Sequence, residues 1–317
     1  MRRSLIVLLL LLFSSRIFAA DPSGKDTVKI GVYITSLYDL KFNEESYNVE
    51  FWLWFHYKND SLHPMESTEM MNAKECEASF KDTELKEGIY WATEKYRAEI
   101  KNPWVLKNFP FDRQCLKIEL EEADLDTSGM VYIADKKNST YDSAIDVSGW
   151  KIVDFNINST NKTYNTTYGD PELTGGSSTY PRIEISFIIE REGWGLFIKL
   201  FTGVYMALLI SLLVFFIDPI DLDPRFGLSV GGVFAAIGNK YIVDSILPET
   251  ITFTLVDIIH DLAFVYILLS IVLSVISLFV YKRGKEKQSR IIDLSSFFFL
   301  LVTFIILNIY FIYNAIN

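Results

Sequence analysis

Lys240, Asp244, Asp257, His260 and Asp261 are ionisable residues set inside two apolar stretches, and their spacing is the first chemistry this sequence offers. Asp257, His260 and Asp261 share one side of a helix by i, i+3, i+4 spacing. Lys240 and Asp244 stand one turn apart in the preceding stretch, and counted outward from the turn at Pro248, Lys240 lies at a depth similar to Asp257. Ionisable groups in an apolar medium pair with one another, so an ion pair from Lys240 to Asp257 or Asp261 is expected. His260 beside them either titrates near neutral pH and biases a conformational equilibrium or is a hydrogen-bonded structural residue.

Helical arithmetic also isolates a stripe in the same stretch. At about 100° per residue, Gly227, Gly231, Phe234, Gly238, Tyr241 and Ser245 fall within about 40° of one direction, with Lys240 and Asp244 turned toward a neighbouring helix. Two readings stand: the glycines admit a close helix–helix contact, or symmetry copies each residue into a ring that lines a pore. In the second, the glycines leave width and the rings of Phe234 and Tyr241 gate by dewetting. Asp223 lies one turn below Gly227 on the same face. It suits the cap before Pro224 at the first helical position, and several copies would make an acidic ring that attracts cations.

Catalytic chemistry is poorly represented. His56, His63 and His260 stand far apart, and no metal-ligand spacing, nucleophile elbow or phosphate loop occurs. No enzyme, metal or cofactor is expected.

The elements that must position these residues fall into two regimes. From residue 195, four stretches of about 195–217, 226–247, 252–280 and 291–313 have the length and apolarity of membrane spans. Between the third and fourth, residues 282–290 carry five basic residues and one acid, which the positive-inside rule assigns to the cytoplasm. Both termini then lie outside. Met1-Arg2-Arg3, an apolar run from Leu5 to Phe13 and small residues before Asp21 predict a signal peptide over 1–20, in agreement with that topology. The expected location is the plasma (inner) membrane, multi-pass, with residues 21–194 on the extracellular or periplasmic side.

Those exported residues hold most of the acid: the chain's net charge is −10, and residues 21–194 alone carry −12. Nucleic acid, which calls for a basic patch, is excluded as a partner. Strands are expected at 28–34, 49–57, 94–101, 114–120, 129–134, 150–157 and 182–191, many short runs without helical period. The expected fold is an all-β, immunoglobulin-like sandwich over 21–194 followed by a four-helix transmembrane bundle over 195–317. Cys76 and Cys115, the only cysteines, either join in a disulfide or stay as small buried thiols. Sequons stand at Asn138, Asn158, Asn161 and Asn165.

Five features in order then carry a resemblance: Gly31-Val32-Tyr33, Phe51-Trp52-Leu53-Trp54, Asn108-Phe109-Pro110-Phe111-Asp112-Arg113-Gln114, Glu190-Arg191 before the first span, and Leu247-Pro248 after the second. Over about 28–315 the chain resembles a prokaryotic pentameric ligand-gated ion channel of the Cys-loop receptor superfamily. The resemblance implies an agonist-binding sandwich above four helices, a homopentamer in the membrane lipid, and a pore lined by the second helix. It also implies a gating junction of Phe109, Pro110, Phe111, Asp112, Arg191, Pro248 and Glu249, with Glu44 or Glu45 as the partner of Arg191.

The flanking cysteines of the animal loop are missing, Gly203 stands where many relatives carry proline, and no tryptophan–proline segment matches one wall of the agonist site. Tyr164, Tyr168 and Tyr180 with Trp54 are the candidate aromatic walls for a small amine or other cation. The expected function is therefore a channel gated by a small-molecule agonist or by protons, passing monovalent cations. Asp221, Asp223 and the acidic domain favour cations, while Pro224-Arg225 is similar to the proline–alanine–arginine of anion channels. An anion-selective channel, a four-helix membrane sensor without a pore and a membrane enzyme are the alternatives.

Overall fold

The computed structural model describes residues 24–169, 176–246 and 252–316. The expected signal peptide, Pro248 and Glu249 lie outside the described residues.

Strands β1 (Asp26–Lys41), β2 (Ser46–Tyr57), β4 (Ala73–Lys86), β5 (Ile89–Lys101) and β7 (Met130–Ala134) form one sheet in the order β4-β5-β2-β1-β7, with the short β8 (Thr140–Tyr141) beside β1. The second sheet runs β3-β6-β10-β9, from β3 (Thr68–Met70), β6 (Arg113–Glu122), β10 (Ser178–Arg191) and β9 (Trp150–Tyr164). Period-two alternation drives both faces together: Val28, Ile30, Val32 and Ile34 of β1 are buried with Phe51, Leu53 and Phe55 of β2 and Ile183, Ile185 and Phe187 of β10. The result is a β-sandwich-like N-terminal region. Gly31 is required on the outer side of β1, because a Cβ there would sit 2.2 Å from the Trp54 ring.

Strand β4 escaped the sequence pattern for a physical reason: nearly every residue on both of its faces is exposed, so it shows no alternation. Its register comes from β5 and from the two-residue turn at Glu87-Gly88, both at positive φ as a tight hairpin requires. Cys76 of β4 and Cys115 of β6 lie in different sheets, and both are free and exposed. Neither the disulfide nor the buried-thiol expectation holds.

Four helices long and apolar enough to cross a membrane follow: α1 (Gly193–Leu212, continuing as a 3-10 turn to Phe216), α2 (Leu222–Ile246), α3 (Leu255–Lys282) and α4 (Glu286–Ile316). Helix α4 starts earlier than its apolar run, so Lys287 and Arg290 lie in its first turns and the link from α3 is short. Helix α2 begins at Leu222, which puts Asp223 in its first turn rather than at the cap. Polar pairs tie the helices together: Tyr205 to Asn308 at 3.0 Å, Ser211 to Ser270 at 2.8 Å and Ser277 to Ser289 at 2.7 Å. Such pairs and small residues at contacts are how apolar helices associate when burial of apolar surface no longer drives them.

Candidate functional site

The loop between β5 and β6 joins sandwich and helices, and its sequence explains how. Gln114 donates to the Val105 carbonyl at 2.9 Å and accepts from the Val105 N–H at 3.0 Å, which closes the loop. It also donates to Asp112 Oδ2 at 2.6 Å, which orients that buried carboxylate. Arg191, the last residue of β10, donates to both oxygens of Asp112, at 2.7 and 3.2 Å. The Arg191 guanidinium is further enclosed by Trp150, Phe109 and Phe42, whose ring centroids lie 4.0, 4.8 and 5.1 Å away. Charge-assisted bidentate bonding and three aromatic faces hold one planar cation.

The expected partner of Arg191 was wrong. Glu44 lies by Lys41 at 3.5 Å, and Glu45 contributes its backbone carbonyl to Asn102 at 2.7 Å. The turn between β1 and β2 is too polar and exposed to bury a guanidinium, whereas Asp112 is already buried and aimed by Gln114. That turn contributes Phe42 instead.

From this anchor the loop touches two helices. The Lys107 carbonyl accepts from the Leu255 N–H at 2.9 Å, satisfying the first turn of α3. Phe111 packs on Trp194 at 4.9 Å and Phe197 at 5.5 Å. Helix α1 starts on a glycine because a Cβ on Gly193 would meet the Pro110 carbonyl at 2.2 Å.

Near the start of α3, Lys240 Nζ lies 2.7 Å from Asp257 Oδ1 and also contacts Asp244. Asp257 Oδ2 accepts from the Thr254 backbone at 2.8 Å and Thr254 accepts from the Asp257 N–H, a capping box that fixes the start of α3. Asp261 is exposed and takes no part in the cluster. His260 is fully buried, with Nδ1 2.8 Å from the Val256 carbonyl and Nε2 3.0 Å from Asn239 Oδ1. Asn239 in turn lies on Gly203, where a Cβ would come within 2.5 Å of its amide. A residue with a side chain at 203 would displace Asn239, which accounts for the glycine in α1.

This enclosure favours the structural role for His260. His260→Gln is expected to lower the thermal midpoint of the detergent-solubilised protein while leaving the pH dependence of any current unchanged. A displaced pH midpoint in the variant would make His260 a proton sensor.

The stripe of α2 faces away from its own bundle: Asp223, Gly227, Gly231, Phe234, Gly238, Tyr241 and Ser245 are all exposed. A Cβ on Gly227, Gly231 or Gly238 meets nothing within 4 Å. The closely packed glycine of this helix is Gly232, whose Cβ would meet Ser211 at 3.0 Å and the Ala207 carbonyl at 3.1 Å. Helix contact within the chain therefore explains Gly232 and not the stripe.

Tyr164, Tyr168 and Tyr180 meet edge to face, with centroids 5.7, 6.2 and 6.4 Å apart. The Tyr164 hydroxyl donates to Glu121 at 2.8 Å and accepts from Arg182 at 3.1 Å. Burial, then the Glu121 carboxylate, push this phenol up to about 12. Burial opposes the charge on Arg182, but Glu121 and Glu119 outweigh it and raise its affinity for the proton. Trp54 does not join the trio. It lies on the other sheet, over Gly31, with its indole N–H donating to the buried Asp135 at 3.3 Å.

Sequence reading missed Phe42 and Trp150 around Arg191, Asn239 beside His260, and the Arg225–Asp293 pair at the other end of the helices. Their one visible signal was aromaticity at a turn or strand end for Phe42 and Trp150, and polarity within a helix for Asn239, Arg225 and Asp293. No protein-family model and no curated protein matches the chain.

Proposed function

We propose that the protein is a pentameric ion channel of the Cys-loop receptor type, gated by a small-molecule agonist or by protons and selective for monovalent cations. In this reading the N-terminal region is an immunoglobulin-like sandwich outside the cell membrane, and α2 lines the pore. The observation that carries it is the face of α2: alternating small and aromatic residues, exposed in the isolated chain, with open space at three glycines. Lipid would favour a Leu- and Ile-rich face there, and a ring of copies would use the glycines for width.

Three further observations support the reading. Arg191, Asp112 and the 105–112 loop connect β10 with the starts of α1 and α3, a route by which a change in the sandwich can reach the helices. Tyr164, Tyr168 and Tyr180 cluster at the β9–β10 hairpin, while Trp54 sits on the opposite sheet, so one site using all four draws on two neighbouring subunits. Arg225, the residue that spoke for anions, is buried away from the exposed stripe, whereas Asp223 is exposed.

Purified protein in planar bilayers tests this. Unitary currents evoked by acid or by a small amine, reversing near the sodium equilibrium potential in asymmetric NaCl, are expected. Silence across pH 4–8 and a panel of amines, on the order of the range over which histidine and carboxylates titrate, would favour a sensor without a pore. Reversal near the chloride potential would sink cation selectivity.

A further inference from the structure

Arg225 is the second residue after Asp223 in the first turns of α2, yet the two point apart. At about 100° per residue, Arg225 lies about 160° from the Gly227 direction, and it is only 3% exposed. Its guanidinium is held by all three other helical segments. Nε and Nη2 donate to the Ile217 carbonyl after α1 at 3.1 and 2.6 Å, Nη1 donates to Ser274 Oγ of α3 at 3.0 Å, and Nη2 meets Asp293 Oδ2 of α4 at 2.7 Å. Asp293 supplies the only carboxylate in this set, and its Oδ1 has no hydrogen-bond partner among the described residues.

A buried ion pair is a weak way to gain stability, since apolar residues of similar volume serve as well. A long cationic side chain at the end of an apolar helix normally snorkels to water, and on the channel reading the mouth beside the exposed Asp223 is the water through which its charge would be felt by a permeant ion. Resting on the channel reading above, we infer that Asp293 is a positioning residue for ion selectivity: it withdraws the Arg225 charge from the inner mouth and leaves the ring of Asp223 unopposed. The carboxylate does not touch the permeant ion. It acts through where it keeps Arg225.

Asp293→Asn tests the inference in two ways. In asymmetric NaCl the variant's reversal potential is expected to move toward chloride, with a severalfold fall in sodium-over-chloride permeability. Arg225→Gln/Asp293→Asn, which removes both charges, should reverse like the wild type, a rescue that a merely structural role does not predict. Independently of current, phenylglyoxal labelling read by mass spectrometry should find Arg225 protected in the wild type and modified in Asp293→Asn.

An unchanged reversal potential with Arg225 newly labelled overturns the proposal, as does rapid labelling of Arg225 in the wild type. If Asp293→Asn does not assemble, the neutral double variant still decides: cation selectivity above wild type would mean that Arg225 was already felt in the mouth. A silent wild type removes the channel reading and the selectivity role with it, while labelling still reports whether Arg225 is held buried.

Discussion

If the protein is the proposed channel, Arg191→Glu is expected to abolish evoked current and, whatever the function, to loosen the sandwich from the helices, the largest effect of any single substitution at the junction. The Asp112 carboxylate is 1% exposed and receives both the Arg191 fork and Gln114. Removing one partner of a buried pair costs about 3–5 kcal/mol because the other charge is left without compensation. Glutamate goes further, setting a second carboxylate against the first and taking the cation away from Trp150, Phe109 and Phe42. Arg191→Lys separates charge from shape. It keeps the cation but loses the bidentate geometry and the planar stacking, so it should assemble with a lowered thermal midpoint and a weakened response. Thermal unfolding followed by size-exclusion chromatography, alongside bilayer currents, reads both variants. Wild-type stability and current in Arg191→Glu would show that this anchor is neither structural nor coupled to opening.

The junction also shows which parts of the molecule can be read from sequence. The four apolar helices were legible because length and hydropathy are local properties, and β1 and β2 because every second residue is buried from Val28 to Ile34 and from Tyr47 to Tyr57. The 108–114 loop was legible as a motif, but its pairing was not. Nothing in the order of residues distinguishes Glu44 from Asp112 as the partner of Arg191. Burial and the aim supplied by Gln114 decide it, and both arise only once β5 and β6 are in place. Strand β4 was invisible because a strand exposed on both faces has no pattern to find. The helix arithmetic separated the exposed face of α2 from the side bearing Lys240, but it could not assign roles to Gly231 and Gly232. Adjacent identical residues differ only in what stands opposite them.

That difference supplies the second large effect. In a background with the exposed Cys76 and Cys115 replaced by serine, Gly231→Cys is expected to assemble normally, since a Cβ there meets nothing within 4 Å in the chain. If the α2 stripe lines water, its thiol will ionise and react with a cationic methanethiosulfonate reagent, and the attached group will remove most of the current. A thiol facing lipid stays protonated and reacts slowly, because the thiolate is the nucleophile. Gly232→Cys is the control one residue away. Its Cβ would press on Ser211 at 3.0 Å and the Ala207 carbonyl at 3.1 Å, so it should cost about 1–3 kcal/mol by overpacking and remain unreactive. Rapid modification at 231 but not 232, with loss of current, is the outcome a pore requires. Modification at 231 without any effect on current would fit a wet face that conducts nothing. Slow reaction at both positions would turn the stripe toward lipid or toward a second copy, leaving the glycines as contact residues between chains rather than the wall of a channel.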